Sequence, residues 1–160
     1  YVPQSIFLVD DTIEKNIAFG VNEDCIDRDR VISAAKIAEI DEHIQTLPKK
    51  YQTIVGEKGV RISGGQLQRI GIARALYMNS SVLVFDEATS ALDGITENAI
   101  VSSINKIQHK KTIFIIAHRL STVKKCDIIY MLNKGKVIDS GTYEKLIKTN
   151  ERFRKMSDVE

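Results

Sequence analysis

The sequence predicts an α/β protein that has a parallel-sheet core and an α-helical subdomain inserted before it. Residues 5–62 read mostly as short helices. From residue 63 onward, short apolar runs rich in β-branched residues alternate with helical patterns, which is typical of a parallel sheet. We therefore divide the chain into two regions, residues 1–62 and residues 63–160.

Three short helices are predicted in the first region. We expect Asp11 to cap the first helix, because Glu14 follows three residues later, and we expect Gly20 to end it. The third helix should span residues 41–47 and end at Pro48. The second helix has small apolar residues at helical spacing on one face: Val31, Ala34, Ala35 and Ala38.

The second region is predicted to begin with a helix that Ser63 caps and that extends to about Tyr77. A buried strand is expected at residues 82–85. The helix after this strand carries three isoleucines on one face: Ile100, Ile104 and Ile107.

Further strands are predicted toward the end of the chain. They span residues 112–116, 127–132 and 136–140, and a hairpin turn at residues 133–135 joins the last two. A final helix should turn Tyr143, Leu146 and Ile147 inward.

Composition limits the functions open to this chain. Lys and Arg total 23 and Asp and Glu total 21, so the net charge of +2 gives no support for nucleic acid or an anionic membrane as a partner. The distant Cys25 and Cys126 indicate free thiols in a reducing compartment. No apolar run approaches the roughly 18 residues of a membrane span, and we expect no secretory leader.

Two adjacent acids follow the strand at residues 82–85. Asp86 and Glu87 repel each other and are costly to desolvate unless a cation or a proton compensates them. Acids at the carboxyl end of a buried strand suit a site for a metal–nucleotide and an activated water. The pair therefore predicts chemistry on a phosphate.

A second phosphate signal is I-S-G-G-Q at residues 62–66. Ser63 could simply cap a helix, but Gly64 and Gly65 would each then cost about 0.5–1 kcal/mol relative to Ala. Backbone N–H groups that approach an anion explain this cost, and Ser63 and Gln66 add side-chain donors.

These residues resemble the nucleotide-binding domain of ATP-binding-cassette transporters, over nearly the whole chain. Five motifs carry the resemblance, in the family's order and at its spacings. They are Y-V-P-Q at residues 1–4 (Q-loop), I-S-G-G-Q at 62–66 (signature motif), V-L-V-F-D-E at 82–87 (Walker B), S-A-L-D at 90–93 (D-loop) and I-A-H-R-L-S-T at 116–122 (H-loop). The resemblance implies a P-loop NTPase (RecA-like) core, with ATP and Mg²⁺ as cofactors.

One element of the family does not occur in the sequence. The phosphate-binding loop G-x-x-x-x-G-K-[ST] is absent, and the nearest candidate, G-E-K-G at residues 56–59, has the wrong spacing. In the family this loop lies upstream of the Q-loop. We therefore expect the chain to be the C-terminal part of such a domain, truncated at its N-terminal side and inactive alone, with unpaired strand edges and an exposed apolar face.

The resemblance implies catalytic roles for four residues. Asp86 would hold Mg²⁺, and Glu87 would be the general base that deprotonates the attacking water. Gln4 would contact Mg²⁺ or this water. His118 would contact the γ-phosphate, although a histidine after an apolar strand is often an ordinary hydrogen-bonded core residue.

The resemblance also implies that the site lies at a dimer interface. The signature motif, Ser63, Gly64, Gly65 and Gln66, would contact ATP held by the opposite subunit. Ser90 and Asp93 would communicate across the interface, although both could merely cap the next helix. Arg69 and Arg74 are interpreted as solvated or salt-bridged surface residues without a chemical role.

The leading hypothesis is the ATP-hydrolysing motor domain of an exporter-type transporter. Residues 53–59 resemble the X-loop that precedes the signature motif in exporters, although an ordinary glycine-bearing loop would look similar. The implied partners are a second nucleotide-binding domain, identical or different, and the transmembrane domains of the same transporter. Phe7 and Leu8 either pack in the helical subdomain or meet that membrane domain.

This hypothesis implies a location at the cytoplasmic face of a membrane and leaves the cargo open. The alternative is a non-transport ATPase of the same superfamily, in DNA repair or chromosome structure. Such proteins usually carry coiled-coil arms, and the chain has no sustained heptads.

Overall fold

The computed structural model describes residues 1–57, 61–88, 94, 96, 111–117 and 120–157. The chain forms two compact units, Tyr1–Ile116 and Ala117–Glu160. The division that the sequence suggested, after residue 62, stays a prediction.

The first unit contains the helices that the sequence predicted before the strands. They are α1 (Ile13–Ile17), α2 (Arg28–Ile37), α3 (Asp41–Thr46) and α4 (Gly64–Tyr77), with short 3₁₀ helices at Glu23–Cys25 and Lys50–Gln52. A two-residue antiparallel pair, β1 (Asp11–Thr12) and β2 (Ile54–Val55), joins the start of α1 to the segment before α4.

Two predicted ends of α1 were wrong. Its N-cap is Thr12, whose hydroxyl accepts a hydrogen bond from the Lys15 backbone N–H at 3.2 Å. Asp11 instead belongs to β1, where pairing with Val55 holds its backbone extended. The helix ends at Ile17, before the predicted stop at Gly20, whose φ of 85° belongs to the turn that follows.

The other helices predicted in the first unit are confirmed, and α3 ends at Thr46, one residue before its predicted end. Helix α2 buries three small residues on one face, Val31, Ala34 and Ala35. Ser63 caps α4 through a capping box, in which its hydroxyl accepts from the Gln66 N–H and the Gln66 side chain accepts from the Ser63 N–H.

Two parallel strands carry the acidic pair. Strand β3 (Val82–Asp86) pairs with β4 (Thr112–Ile116) in register, from Val82 opposite Thr112 to Asp86 opposite Ile116. This pairing confirms the predicted parallel arrangement for β3 and β4. The interior of the unit is apolar. Alanines and isoleucines supply most of its buried side chains, and six isoleucines are at most 1% exposed: Ile13, Ile17, Ile40, Ile44, Ile70 and Ile72.

The second unit is an antiparallel hairpin followed by two short helices. Its elements are α5 (Leu120–Val123), β5 (Ile129–Asn133), β6 (Lys136–Gly141), α6 (Tyr143–Thr149) and α7 (Glu151–Ser157). The predicted turn is confirmed, and Lys134 and Gly135 both have the positive φ that a tight hairpin turn needs (48° and 73°). The sequence reading did not separate α7 from α6.

The described residues decide some of the sequence predictions and leave others open. Leu8 is buried and packs in the core of the first unit, whereas Phe7 is 70% exposed. The predicted helix with Ile100, Ile104 and Ile107 lies outside the described residues. Among the described helices, none has the length and apolar character that crossing a bilayer requires.

Candidate active site

Asp86 and Glu87 stand at the carboxyl end of β3, and both side chains are partly exposed. The Glu87 N–H donates to the carbonyl of Ile116, the last residue of β4, at 2.9 Å. Glu87 adopts a φ of 49°, in the left-handed region that residues other than glycine seldom occupy. Such strain costs about 1–3 kcal/mol and persists where the surroundings impose it, which is common at functional sites.

The first residues of the chain bring Gln4 to this strand end. Val2 forms a parallel bridge with Phe85, because its N–H donates to the Val84 carbonyl (2.8 Å) and its carbonyl accepts from the Asp86 N–H (2.9 Å). Two residues later, the side-chain amide Nε2 of Gln4 donates to Oε2 of Glu87 at 2.8 Å. Gln4 and Glu87, which are 83 positions apart in sequence, therefore meet at one point.

Tyr1 is a site residue that the sequence reading missed. Its phenol hydroxyl donates to Oδ2 of Asp86 at 2.6 Å, and this hydrogen bond raises the pKa of Tyr1. The bond orients one oxygen of the carboxylate. The only available signal was position: Tyr1 lies three residues before Gln4, at the edge of the motif.

The residues at this strand end fit a magnesium ion by their chemistry. Asp86 supplies carboxylate oxygens and Gln4 an amide oxygen, and Mg²⁺ prefers oxygen ligands. In the described part of the chain, no group of three or more His, Cys, Asp or Glu side chains could hold a metal by itself. In nucleotide sites, Mg²⁺ is usually bound by one or two carboxylates together with phosphate oxygens and waters.

The signature residues form a second group, at the first turn of α4. The Ser63 hydroxyl lies 3.3 Å from the Gln66 nitrogen, and the Gln66 side-chain oxygen lies 3.0 Å from the Ser63 nitrogen. Ser63 and Gly64 are exposed, and Gly65 is partly exposed. The helix therefore presents an accessible amino-terminal end, where unpaired N–H groups and the helix dipole favour an anion.

Two of the site residues expected from the sequence, Asp93 and His118, lie outside the described residues, as does Ser90. Their roles stay predictions.

The interpretation of Arg69 and Arg74 as surface residues was wrong. Arg74 is half-buried, and its guanidinium donates to the backbone carbonyls of Asn16 (2.8 Å) and Phe7 (3.1 Å). Arg69 donates to the Glu39 carbonyl at 3.0 Å. Both guanidinium groups therefore bind backbone carbonyls of the first unit instead of standing free in solvent.

Comparison with known proteins agrees with this geometry. Residues 1–90 match the family model described as ABC transporter. The chain is 46% identical over 147 residues to ABC transporter B family member 17 of Arabidopsis thaliana, which covers 92% of this chain and 12% of that protein. It is 41% identical over 159 residues to the ATP-dependent lipid A-core flippase of Haemophilus influenzae (strain 86-028NP), which covers 99% of this chain and 27% of the flippase.

A solved structure is similar along the whole chain. The structure of a bacterial Atm1-family ABC exporter with ATP bound superposes with a TM-score of 0.91 at 41% identity, over 99% of this chain and 28% of that one. The chain thus spans between about an eighth and a quarter of the proteins it resembles. This chain belongs to the ABC transporter family and carries part of an exporter-type nucleotide-binding domain.

Proposed function

We propose that the chain is part of the ATP-hydrolysing motor of an exporter-type ABC transporter, which couples ATP binding and hydrolysis to translocation of a substrate across a membrane. The observation that carries the proposal is the contact at the end of β3. There the Gln4 amide holds the Glu87 carboxylate at 2.8 Å, next to Asp86. The three residues match the positions that bind Mg²⁺ and activate water in this family.

Glu87 is the general base of the proposed reaction. Its carboxylate takes the proton of the water that attacks the γ-phosphate, and the fixed backbone at φ 49° sets the direction of the side chain. Gln4 holds one Glu87 oxygen and orients it. Asp86 and Gln4 would hold Mg²⁺, which when bound supplies the charge that stabilises the transferring phosphoryl group. His118 is proposed to contact the γ-phosphate.

A second nucleotide-binding domain completes the proposed site. Ser63, Gly64, Gly65 and Gln66 form an exposed anion-binding helix end, and in this family such an end faces ATP held by the other subunit. Asp93 is proposed to lie at the same interface. Each chain therefore contributes half of each of two sites, and hydrolysis requires a homo- or heterodimer.

The proposed transmembrane partner is supported by the segment after Gln4. Phe7 presents an aromatic ring that is 70% exposed, although its neighbour Leu8 is buried. A large exposed apolar side chain beside the catalytic segment suits a contact with another domain. This contact would set the chain at the cytoplasmic face of the membrane.

The relatives support an exporter rather than the alternative. The named relatives are a transporter and a lipid A-core flippase, and the similar solved structure is an exporter. These comparisons give no support to a DNA-repair or chromosome-structure ATPase. Residues 53–57, within the segment that resembles the X-loop, include β2, whose pairing with β1 ties it to the segment after Gln4.

The substitution Glu87→Gln in the full-length protein tests the proposal. We expect steady-state ATP hydrolysis to fall by about 10²–10⁴-fold, the usual contribution of a general base, while ATP binding is retained. Phosphate release and binding of a fluorescent ATP analogue measure the two quantities.

The matched control is Glu42→Gln, which makes the same change at an exposed position of α3 and should leave both quantities unchanged. Wild-type hydrolysis by the Glu87→Gln variant would contradict the assignment of the base.

A further inference from the structure

The segment that leaves Gln4 is irregular but has a fixed shape. Residues 3–10 contain no helix or strand, and the fully buried Asn16 binds their backbone. The Asn16 amide accepts from the Val9 N–H and donates to the Val9 carbonyl, each at 3.0 Å, and it donates to the Thr12 carbonyl at 3.1 Å. One side chain thus replaces the hydrogen bonds that a regular element would provide.

Arg74 joins this segment to helix α4. Its Nε donates to the Asn16 carbonyl at 2.8 Å, and one terminal nitrogen donates to the Phe7 carbonyl at 3.1 Å. The guanidinium carbon lies 4.9 Å from the centre of the Phe19 ring. Partial burial lowers the pKa of Arg74, as expected for a cation that has lost part of its contact with water. The planar fork holds two carbonyls at once, which an ammonium cannot do with the same geometry.

Gly71 provides a second point of contact, one helical turn before Arg74. A Cβ at Gly71 would lie 2.7 Å from Cγ1 of Ile6, closer than real side-chain atoms approach. Ile6 therefore packs directly on the backbone of α4. Positions three apart share one face of a helix, so Gly71 and Arg74 lie on the same face of α4. Through this face they contact two consecutive residues of the segment, Ile6 and Phe7.

We propose that Arg74, supported by Asn16, is a positioning residue that makes residues 6–12 and helix α4 move as one body. The signature residues lie at the start of the 14-residue α4, and Gln4 lies two residues before Ile6. A displacement of the signature end therefore reaches Gln4 through Arg74 and Ile6, and Gln4 passes it to the Glu87 carboxylate. This inference rests on the proposed function only for its effect on hydrolysis, since the mechanical link is a property of the fold.

The test compares Arg74→Gln with Arg30→Gln in the full-length transporter. Arg30 is a matched control, because it makes the same two kinds of contact with one residue, Tyr77, at the end of α4. Its guanidinium donates to the Tyr77 carbonyl and lies 4.9 Å from the centre of the Tyr77 ring. Arg74→Gln should increase amide hydrogen exchange in residues 5–12 by about tenfold, the effect of losing a hydrogen bond to a charged group. Arg30→Gln should leave this exchange unchanged.

Steady-state kinetics distinguish the proposed positioning role from a simple loss of stability. We expect Arg74→Gln to lower kcat for ATP hydrolysis about tenfold with KM for ATP unchanged, since Gln4 loses its fixed position while binding groups remain. Equal exchange and equal kcat in the two variants would overturn the inference. A wild-type protein that hydrolyses no ATP would refute the proposed function. The exchange measurement would still decide whether Arg74 joins residues 6–12 to α4.

A second pair of variants covers the case in which Arg74→Gln does not fold. Gly71→Ala should lower kcat because the added methyl displaces Ile6, and the double variant Gly71→Ala with Ile6→Ala should recover it because space is restored. Gly71→Ala without effect on kcat, or a double variant as slow as the single one, would count against the inference.

Discussion

Glu87 combines the proposed role of general base with an unfavourable backbone conformation. Glu87 directly follows the last residue of β3 and has a φ of 49°. Its N–H donates a hydrogen bond to the Ile116 carbonyl. A regular extended residue at this position would turn its side chain to one face of the sheet. The left-handed residue instead turns the carboxylate toward the strand end, where Gln4 donates to it.

Tyr1 is predicted to control how Asp86 binds a metal. In Tyr1→Phe the hydroxyl that holds Asp86 Oδ2 is lost, and loss of such an orienting partner typically weakens metal affinity by about 10–100-fold. The half-saturating Mg²⁺ concentration for ATP hydrolysis by the full-length protein should rise accordingly. Binding of Mn²⁺ measured by electron paramagnetic resonance gives a reading independent of turnover.

The control for this substitution is Tyr130→Phe, at an exposed position of β5. The pKa of Tyr1 is raised above the ordinary value of about 10 for a phenol, so the bond is intact at neutral pH and is lost only as the pH rises through this raised pKa. An unchanged Mg²⁺ requirement in Tyr1→Phe would exclude a role for the hydroxyl.

At the level of single residues, motif chemistry predicted the group at the end of β3 but not all of its contacts. Asp86 and Glu87 were recognisable because adjacent acids after a buried strand are costly without a function. Gln4 was recognisable only by its register with the other motifs. Tyr1 and Arg74 could not be found, because a phenol or a guanidinium binds distant partners that one sequence does not reveal.

At the level of elements, hydrophobic spacing located the helices and strands better than their ends. Helix α4 was correct because Ser63 and Gln66 form a local capping box. The start of α1 was wrong because Asp11 and Thr12 are both good caps, and the pairing of Asp11 with Val55 decides between them. That pairing joins residues far apart in sequence, so local patterns carry no sign of it.

The last element, α7, is predicted to loosen in acid. Asp139 in β6 accepts from the Asn150 side chain at 2.6 Å, and Asn150 in turn accepts from the Phe153 N–H at 2.9 Å. The hydrogen bond from Asn150, and then that from the Ser140 N–H, lower the pKa of Asp139. A lowered pKa means that the stabilisation is present above the unfolded value of about 3.9 and is lost as the pH falls through the folded value.

Nuclear magnetic resonance of the Phe153 amide measures this effect. Its chemical shift should change below about pH 4 in the wild type, following protonation of Asp139. In Asp139→Asn the acceptor is neutral at every pH, so the acid transition should disappear. A transition that survives in this variant would show that another group controls α7.

At the scale of the whole molecule, large apolar side chains remain exposed on the β3–β4 pair and on the β5–β6 hairpin. On β3 and β4 they are Val82 (46%), Phe114 (57%) and Ile116 (52%). On the hairpin of the second unit they include Tyr130 (55%), Leu132 (69%) and Val137 (58%). Apolar surface of this extent marks a place where other protein normally packs.

The 160-residue polypeptide expressed alone is therefore predicted to self-associate and to hydrolyse no ATP. Association follows from the exposed apolar faces, and inactivity follows because G-x-x-x-x-G-K-[ST] does not occur in its sequence. Light scattering after size-exclusion chromatography and a phosphate-release assay measure the two properties. The double variant Phe114→Thr, Ile116→Thr should reduce association, and any ATP turnover would contradict the reading of the absent loop.

The capping box at the start of α4 determines which donors are left to bind an anion at this helix end. The Ser63 oxygen accepts from the Gln66 N–H, and the Gln66 side-chain oxygen accepts from the Ser63 N–H, so both local acceptors are already engaged. The Ser63 hydroxyl proton and the glycine N–H groups are donors that this arrangement does not use. We therefore expect a triphosphate to bind at this helix end without unwinding the first turn of α4, and to leave it without any refolding.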